Sequence, residues 1–276
     1  MLKLAGARLL EDSDAREVRS VLEADPVAAC MVAARFETAG LHPWRLGGEL
    51  WGFGGLDGLC FSGVNLIPLQ GDATAMRAFA DRALSRRRVC SSLVGPSEQV
   101  LGLWSELASG WGPPREIRPE QPVMVLDTPP QVDPDPLVRR VRPDELDRYL
   151  PAAIAMFTEE VGIDPCANGG AAGYRARVAE LIAGGRAFAR FDGDEVVFKA
   201  EIGALSRSVG QIQGVWVHPD RRSCGLGTRG TAAVAERLSA IGRTASLYVN
   251  GFNVAARIAY RKIGFEERGV FATVLF

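Results

Sequence analysis

The sequence predicts an α/β (α+β) chain folded as two tandem domains. Three observations carry this. The 276 residues suffice for about two domains at ~150 residues each. Eight of the 16 prolines crowd between Pro113 and Pro136 and mark a boundary. On both sides of it the apolar pattern runs helix, helix, strands, helix, strand, helix, strand. The division this predicts is a first domain over 1–128, a proline-rich linker over 129–136 and a second domain over 137–276.

In the first half, Asp14 to Glu23 and Val27 to Thr38 have helical spacing, broken by Asp25-Pro26. Glu49 to Phe53 and Leu59 to Ile67 are strand-like, joined by the turn GGLDG. Asp72 caps an amphipathic helix through Leu84. Val89 to Val94 is a strand and Ser97 to Ala108 a helix. The proline stretch cannot be helical and reads as an extended connector, within which Val123 to Leu126 can add a strand.

In the second half, Leu137 to Arg142 is a strand, and Pro143 opens a helix through about Glu160. Gly170 to Ile182 is a second helix. Ala187 to Phe191, Val196 to Leu205 and Gln211 to Val217 are strands with tight turns such as Asp192-Gly193-Asp194. Gly225 to Ile241, Ala245 to Val249, Val254 to Ile263 and Val270 to Leu275 follow as helix, strand, helix, strand. The halves share no visible sequence similarity, so a duplication is a hypothesis resting on element order.

Composition narrows the function. Hydrophobic residues make up 47% and charged residues 24%, which is globular and not disordered. A net charge of -1 and a pI near 6.2 argue against a general nucleic-acid binder. No run reaches the ~18 apolar residues of a membrane span, and the start MLKLAGARLLEDSDAR does not read as a signal peptide. The expectation is a cytoplasmic protein. The five cysteines include no C-x-x-C clip, and with only His42 and His218 beside them no metal site is expected. Only Lys3, Lys199 and Lys262 are lysines, a skew that reads as codon composition.

Val215 to Gly230, VWVHPDRRSCGLGTRG, carries the chemistry. An apolar strand enters a polar turn, and a glycine pair opens a helix. Free N–H groups at a helix start, with the positive dipole end, make an anion site. A P-loop fails for want of its lysine. Gly225-Leu226-Gly227-Thr228-Arg229-Gly230 matches G-x-G-x-x-G literally. However, HPDRRSC separates it from its strand, and Asn250 stands where a dinucleotide site needs an acid. The pattern V-x-P-x-x-[QR]-x-x-G-x-[GA] matches Val217, Pro219, Arg222, Gly225 and Gly227 without gaps. Downstream, Asn253-x-x-Ala256-x-x-x-Tyr260-x-Lys262-x-Gly264-Phe265 follows at a second characteristic distance.

Together these two signatures resemble those of the GNAT superfamily of N-acetyltransferases. The resemblance covers about residues 137–276 and is clear over 215–265. The tandem arrangement also resembles two-domain GNAT enzymes such as mycothiol synthase. It implies two GNAT-like domains, each a mixed, mostly antiparallel central sheet flanked by helices. It also implies acetyl-CoA as cofactor and direct, ternary-complex transfer to a primary amine on a small molecule or peptide. The alternative is a non-catalytic acyl-CoA sensor or interaction module. Ser223 and Cys224 replace the Gly and Arg usual in the loop, which should alter affinity more than fold.

The resemblance implies that Val215, Trp216 and Val217 hold the pantetheine arm. The backbone of Arg222, Ser223, Cys224, Gly225, Leu226, Gly227 and Thr228 would hold the pyrophosphate. Asn253, Ala256 and Tyr260 share one helix face at i, i+3 and i+7. Asn253 would bind the CoA arm, and Tyr260 is the natural acid for a thiolate, since the two reference pKa values are close. Glu201, in the apolar strand VVFKAEIGAL, is the candidate base. Burial there should raise its pKa, and the competing reading is an ion-paired or hydrogen-bonded strand residue. Gln211, Gln213, Val215 and Val217 share a face by period two, so the glutamines line the cleft. Glu159 and Glu160 are candidates for holding a cationic amine, against a solvated helix end. His218 reads as a turn residue and Cys224 as alkylation-sensitive, with CoA protecting it.

The corresponding segment of the first domain reads PLQGDATAM, with one glycine, no basic residue and Asp72 at the helix start. An acid there repels phosphate. The first domain is expected to lack CoA and to close the substrate cleft or mediate dimerisation. Trp44, Trp51 and Phe53 in HPWRLGGELWGFGG read as core, against the alternative that they contact a partner.

Overall fold

A computed structural model describes residues 6–276. Lys3 and the beginning of the segment inspected for a signal peptide lie outside the described residues. The chain forms two compact units. The first comprises the chain through Val123, Tyr248–Phe252 and Glu267–Phe276. The second comprises Met124–Leu247 and Asn253–Glu266.

The elements up to the proline stretch are β1 (Arg8–Leu9), α1 (Ala15–Ala24), α2 (Cys30–Ala39), α3 (Pro43–Leu46), β2 (Gly48–Phe53), β3 (Gly58–Gly63), β4 (Asn65–Gln70), α4 (Ala73–Leu84), β5 (Ser92–Pro96), α5 (Ser97–Trp111) and β6 (Glu116–Leu126). After it come β7 (Arg139–Arg140), α6 (Leu146–Val161), α7 (Ala171–Ala183), β8 (Ala187–Asp192), β9 (Glu195–Leu205), β10 (Val209–Val217), α8 (Leu226–Ala240), β11 (Thr244–Tyr248), α9 (Val254–Ile263) and β12 (Glu266–Leu275).

In the first unit the strand order is β1-β2-β3-β4-β5-β12-β6. Pairs β1–β2, β2–β3, β3–β4 and β5–β12 are antiparallel, and β4–β5 is parallel. Strand periodicity sorts the core onto two faces. Leu50, Leu59 and Phe61 pack with Val18 of α1 and Phe36 of α2. Their neighbours Trp51 and Cys60 face the other way and pack with Phe79 of α4 and Leu103 of α5. Helical spacing does the same for α4, where Met76, Phe79, Ala80 and Ala83 form one buried stripe.

The second unit orders its strands β11-β10-β9-β8-β7. Pairs β7–β8, β8–β9 and β9–β10 are antiparallel, and β10–β11 is parallel. Helix α8 lies close on this sheet, because Gly230 has no Cβ; one there would sit 2.6 Å from the Phe198 ring. Both units therefore carry an antiparallel run followed by one parallel pair, which in the first unit is followed again by the antiparallel β5–β12 pair; each is a mixed, mostly antiparallel sheet flanked by helices.

Several expectations change in detail. The strand read over Leu59 to Ile67 is two strands, β3 and β4. The strand read at Leu137 to Arg142 shrinks to Arg139–Arg140. The proline stretch from 129 is tied into the second unit: the Gln131 amide donates to the Ile263 carbonyl, and buried Asp135 takes Arg190 at 2.7 Å. The last strand, read with the second half, pairs along Phe271–Leu275 with β5 of the first unit. Among the described residues no helix is long and apolar enough to cross a membrane.

Candidate active site

The site is built where β10 leaves its neighbours. Val209, Gly210 and Gln211 pair with β11, and the strand then runs on unpaired on that side through Val217. On the other side its ladder with β9 is irregular at Gln211/Ile212 and again between Gln213 and Trp216. Gly214 and Val215 have no partner opposite them, and Gly214 has φ +57°, in the left-handed region. These irregularities interrupt the period of two, so Gln211, Gln213, Val215 and Val217 do not line one face. Gln211 is buried, and Gln213 lies across Gly203, where a Cβ would come within 2.1 Å of its amide oxygen.

Beneath the irregularity lies a buried polar cluster. Lys199 and Glu201 are neighbours on one face of β9, 0% and 4% exposed. Lys199 Nζ donates to Glu201 Oε1 at 2.7 Å, and the buried Tyr149 hydroxyl of α6 donates to the same oxygen at 3.1 Å. Gln213 Nε2 makes a long 3.5 Å contact with Oε2. A Cβ on Gly214 would sit 2.9 Å from Met156 Cε and 3.2 Å from Lys199 Nζ, so the strand passes directly over the pair. Burial pushes the Glu201 pKa up, but the charge and hydrogen bond of Lys199 and the Tyr149 hydroxyl more than offset it, and the net shift is downward. The raised pKa expected for Glu201 is therefore corrected: the carboxylate is ion-paired and held ionised. Tyr149 is pushed well above its ordinary value by burial and by Glu201.

After Val217 the chain turns at His218, whose Nδ1 accepts from the Asp220 amide, in keeping with a turn residue. Arg222 donates to the Val217 carbonyl at 3.1 Å and to Glu159 Oε2 at 2.7 Å. Glu159 also accepts from the Trp216 indole at 3.1 Å, so it pins the end of α6 to this turn and is not a free anion awaiting an amine. Glu160 is exposed beside it. Ser223 and Gly225 have φ +61° and +82°, and α8 opens at Gly225 with no side-chain cap. Among the described residues the amides of Ser223, Cys224, Gly225, Leu226, Gly227 and Thr228 find no acceptor; the first amide to donate into the helix is that of Arg229. A Cβ on Gly225 would meet nothing within 4 Å. Open amides at the positive end of a 15-residue helix fit a pyrophosphate.

Asn253 caps α9: its Oδ1 accepts from the Ala256 amide at 3.1 Å, leaving the side-chain amide for a ligand. Two turns on, Tyr260 is 8% exposed and packs its ring against Phe265 at 6.0 Å. Burial pushes its phenol above the ordinary range, with a smaller contribution from Glu160.

The first unit has the corresponding parallel pair but not the chemistry. There β4 pairs with β5 at Asn65 and Leu66, and the strands stay close beyond it, since a Cβ on Gly95 would sit 3.2 Å from the Pro68 carbonyl. The helix that follows is closed by its own residue, since Asp72 accepts from the Ala75 amide at 2.9 Å. Its N-terminus thus already holds a carboxylate where α8 presents bare amides. Trp51 is core as expected and Phe53 half-buried, but Trp44 is 84% exposed and packs into neither core.

The sequence reading missed Lys199, Tyr149 and Met156. Lys199 had a signal: a lysine and a glutamate two apart in an apolar strand share one buried face and must pair. Tyr149 and Met156 reach the site from another element, which spacing alone does not reveal.

The parted parallel pair, the open helix start and the tyrosine helix belong to a chain whose fold is that of solved GNAT proteins. Residues 195–274 match the family model described as FR47-like protein, and residues 48–149 match one described as a domain of unknown function, DUF4081. The chain is similar in fold to an acetyltransferase of the GNAT family from Colwellia psychrerythraea, at 11% identity over 98% of this chain and 99% of that one, TM-score 0.57. It is similar to a Drosophila protein at 14% identity over 99% of each chain, TM-score 0.66. It is also similar to a tandem GNAT protein from the clavulanic acid biosynthesis pathway, at 16% identity over 98% of each chain, TM-score 0.52. A comparison with curated proteins gives no match.

Proposed function

We propose that the second unit is an acetyl-CoA-dependent N-acetyltransferase that passes the acetyl group directly to a primary amine. The observation that carries this reading is the parting of β10 from β11 beyond Gln211, with unpaired backbone at Gly214–Val215 and uncapped amides at α8 around the same strand.

Acetyl-CoA supplies the acetyl group as a thioester. The open amides of residues 223–228, with the Arg222 side chain beside them, would hold its pyrophosphate, and the strand edge at Val215, Trp216 and Val217 would hold the arm. An unpaired amide at the strand irregularity can donate to the oxyanion that develops at the carbonyl. The amine must be neutral to attack. Glu201, kept ionised by Lys199, is a weak proton acceptor and a good fixed anion, so it orients the water through which the amine loses its proton. As the C–S bond breaks, the Tyr260 hydroxyl gives its proton to the departing thiolate. Burial serves this role by keeping the phenol protonated at every working pH.

The test is thiol release from acetyl-CoA across a panel of small-molecule and peptide amines. Tyr260→Phe should lower turnover by about 10²–10⁴-fold while CoA binding persists. Glu201→Gln should lower the rate evenly across neutral pH, because the carboxylate titrates well below it. CoA binding without transfer to any amine would turn the reading into a sensor; no CoA binding would remove it.

A further inference from the structure

The first unit holds a cavity that this chemistry does not use. Its volume is about 630 Å³, within the range of small-molecule sites. Gly47, Gly48 and Gly63 are among its lining residues. A Cβ on Gly48 would sit 2.3 Å from the Ser62 carbonyl, and one on Gly63 would sit 2.5 Å from that of Gly47. The walls include Trp44, Val64, Val89 and the consecutive arginines 86, 87 and 88.

Two features of these walls go together. The first is exposed apolar surface: Trp44 is 84% exposed, Val89 76% and Val64 55%, around one concavity. The second is surplus positive charge. Glu49 is the acid of this wall, and its carboxylate is already engaged. It takes the Trp51 indole at 2.7 Å, Arg86 at 2.9 Å and Arg82 at 3.6 Å. Arg88 stacks over the Phe276 ring at 4.0 Å and near Trp111 at 5.9 Å, with no carboxylate partner among the described residues. Arg87 makes neither hydrogen bond nor ion pair among them. Adjacent guanidiniums without counter-charge repel one another, and an anion between them removes that repulsion. Both indole and guanidinium faces stack on flat rings, and guanidinium also binds carboxylate in a fork.

We propose that this cavity binds a small aromatic carboxylate, with its ring against Trp44 and its carboxylate on Arg87 and Arg88. The surplus charge is confined to Arg87 and Arg88 in a chain of net charge -1, which fits one small anion better than a polymer.

Isothermal titration calorimetry of the full chain tests this. The probes are indole-3-acetate and benzoate, with indole (ring without charge), acetate (charge without ring) and single-stranded oligouridylate as comparisons. Indole-3-acetate or benzoate should bind saturably, and indole and acetate about tenfold more weakly or worse. Arg87→Ala and Trp44→Ala should each weaken ring-acid binding about tenfold. Circular dichroism should stay unchanged, because both side chains are exposed. The proposal is overturned if no ring acid binds at millimolar concentration. It is equally overturned if acetate binds as well as the ring acids and Trp44→Ala changes nothing, or if oligouridylate is preferred.

Discussion

Replacing Lys199 by methionine isolates the buried pair under β10. The ammonium is fully buried and 2.7 Å from Glu201, whose own exposure is 4%. Removing it leaves a carboxylate with Tyr149 at 3.1 Å and no cation in contact. Arg177 acts on it only through its charge. Glu201 must then stay charged in an apolar site, at about 3–5 kcal/mol, or take a proton. From a reference pKa of ~4.3, protonation costs ~4 kcal/mol at about pH 7 and ~1 kcal/mol at about pH 5. The loss of stability should therefore be close to 4 kcal/mol at neutral pH and shrink about fourfold at pH 5. The signs agree with linkage. In the native chain the depressed pKa gives stability above the unfolded value that is lost as pH falls through the folded one. In the variant the raised pKa gives a penalty that grows as pH rises. Urea unfolding followed by circular dichroism, at both pH values, reads this directly. Lys199→Met/Glu201→Gln should recover stability relative to Lys199→Met alone. A cost that is the same at both pH values, or a double variant no better than the single one, would show that the lysine is not holding a charged carboxylate.

Other substitutions and reagents probe neighbouring features. Gly214→Ala places a Cβ at φ +57° against Met156 and Lys199, and should cost about 1–2 kcal/mol in thermal or urea unfolding. Cys224 is exposed in the loop before α8, so iodoacetamide should modify it, and CoA should slow the modification, as read by mass spectrometry. Arg139 grips Glu145 through two 2.7 Å bonds, and with the Arg142 amide lowers its pKa to about 2. The stability this gives is complete above the unfolded value and is lost as pH falls towards 2. Glu145→Gln should therefore flatten the acid limb of the stability–pH curve.

The turn after β10 and the open start of α8 were legible because they are written in consecutive residues. Val217, Pro219, Arg222, Gly225 and Gly227 set a backbone path that needs no distant partner. Asn253 and Tyr260 were legible because helix period places them on one face. Glu201 was found, but its charge state was not, since that depends on Lys199 and on Tyr149 from another helix. The face of β10 was misread because alternation assumes a regular ladder, and nothing in GQIQGVWV announces that Gly214 turns left-handed. Trp44 looked like core by composition; its position on a four-residue helix leaves it outside. The partner of Phe271–Leu275 lies some 180 residues earlier in the chain, a distance over which local pattern has no say.

That last pairing bears on how the protein is made. Leaving the ribosome, the first unit has β5 in hand but lacks the strand that covers its edge. It must wait until β12, about 180 residues further on, has been made before the gap between β5 and β6 is filled. During synthesis the row of amides and carbonyls from Ser92 to Pro96 is an open template for any extended segment nearby. Long-range closure of this kind is slow, and a chain cut at the proline stretch would keep that edge bare permanently. The two halves suggested by the sequence are thus not separable pieces: the first unit is completed by β12.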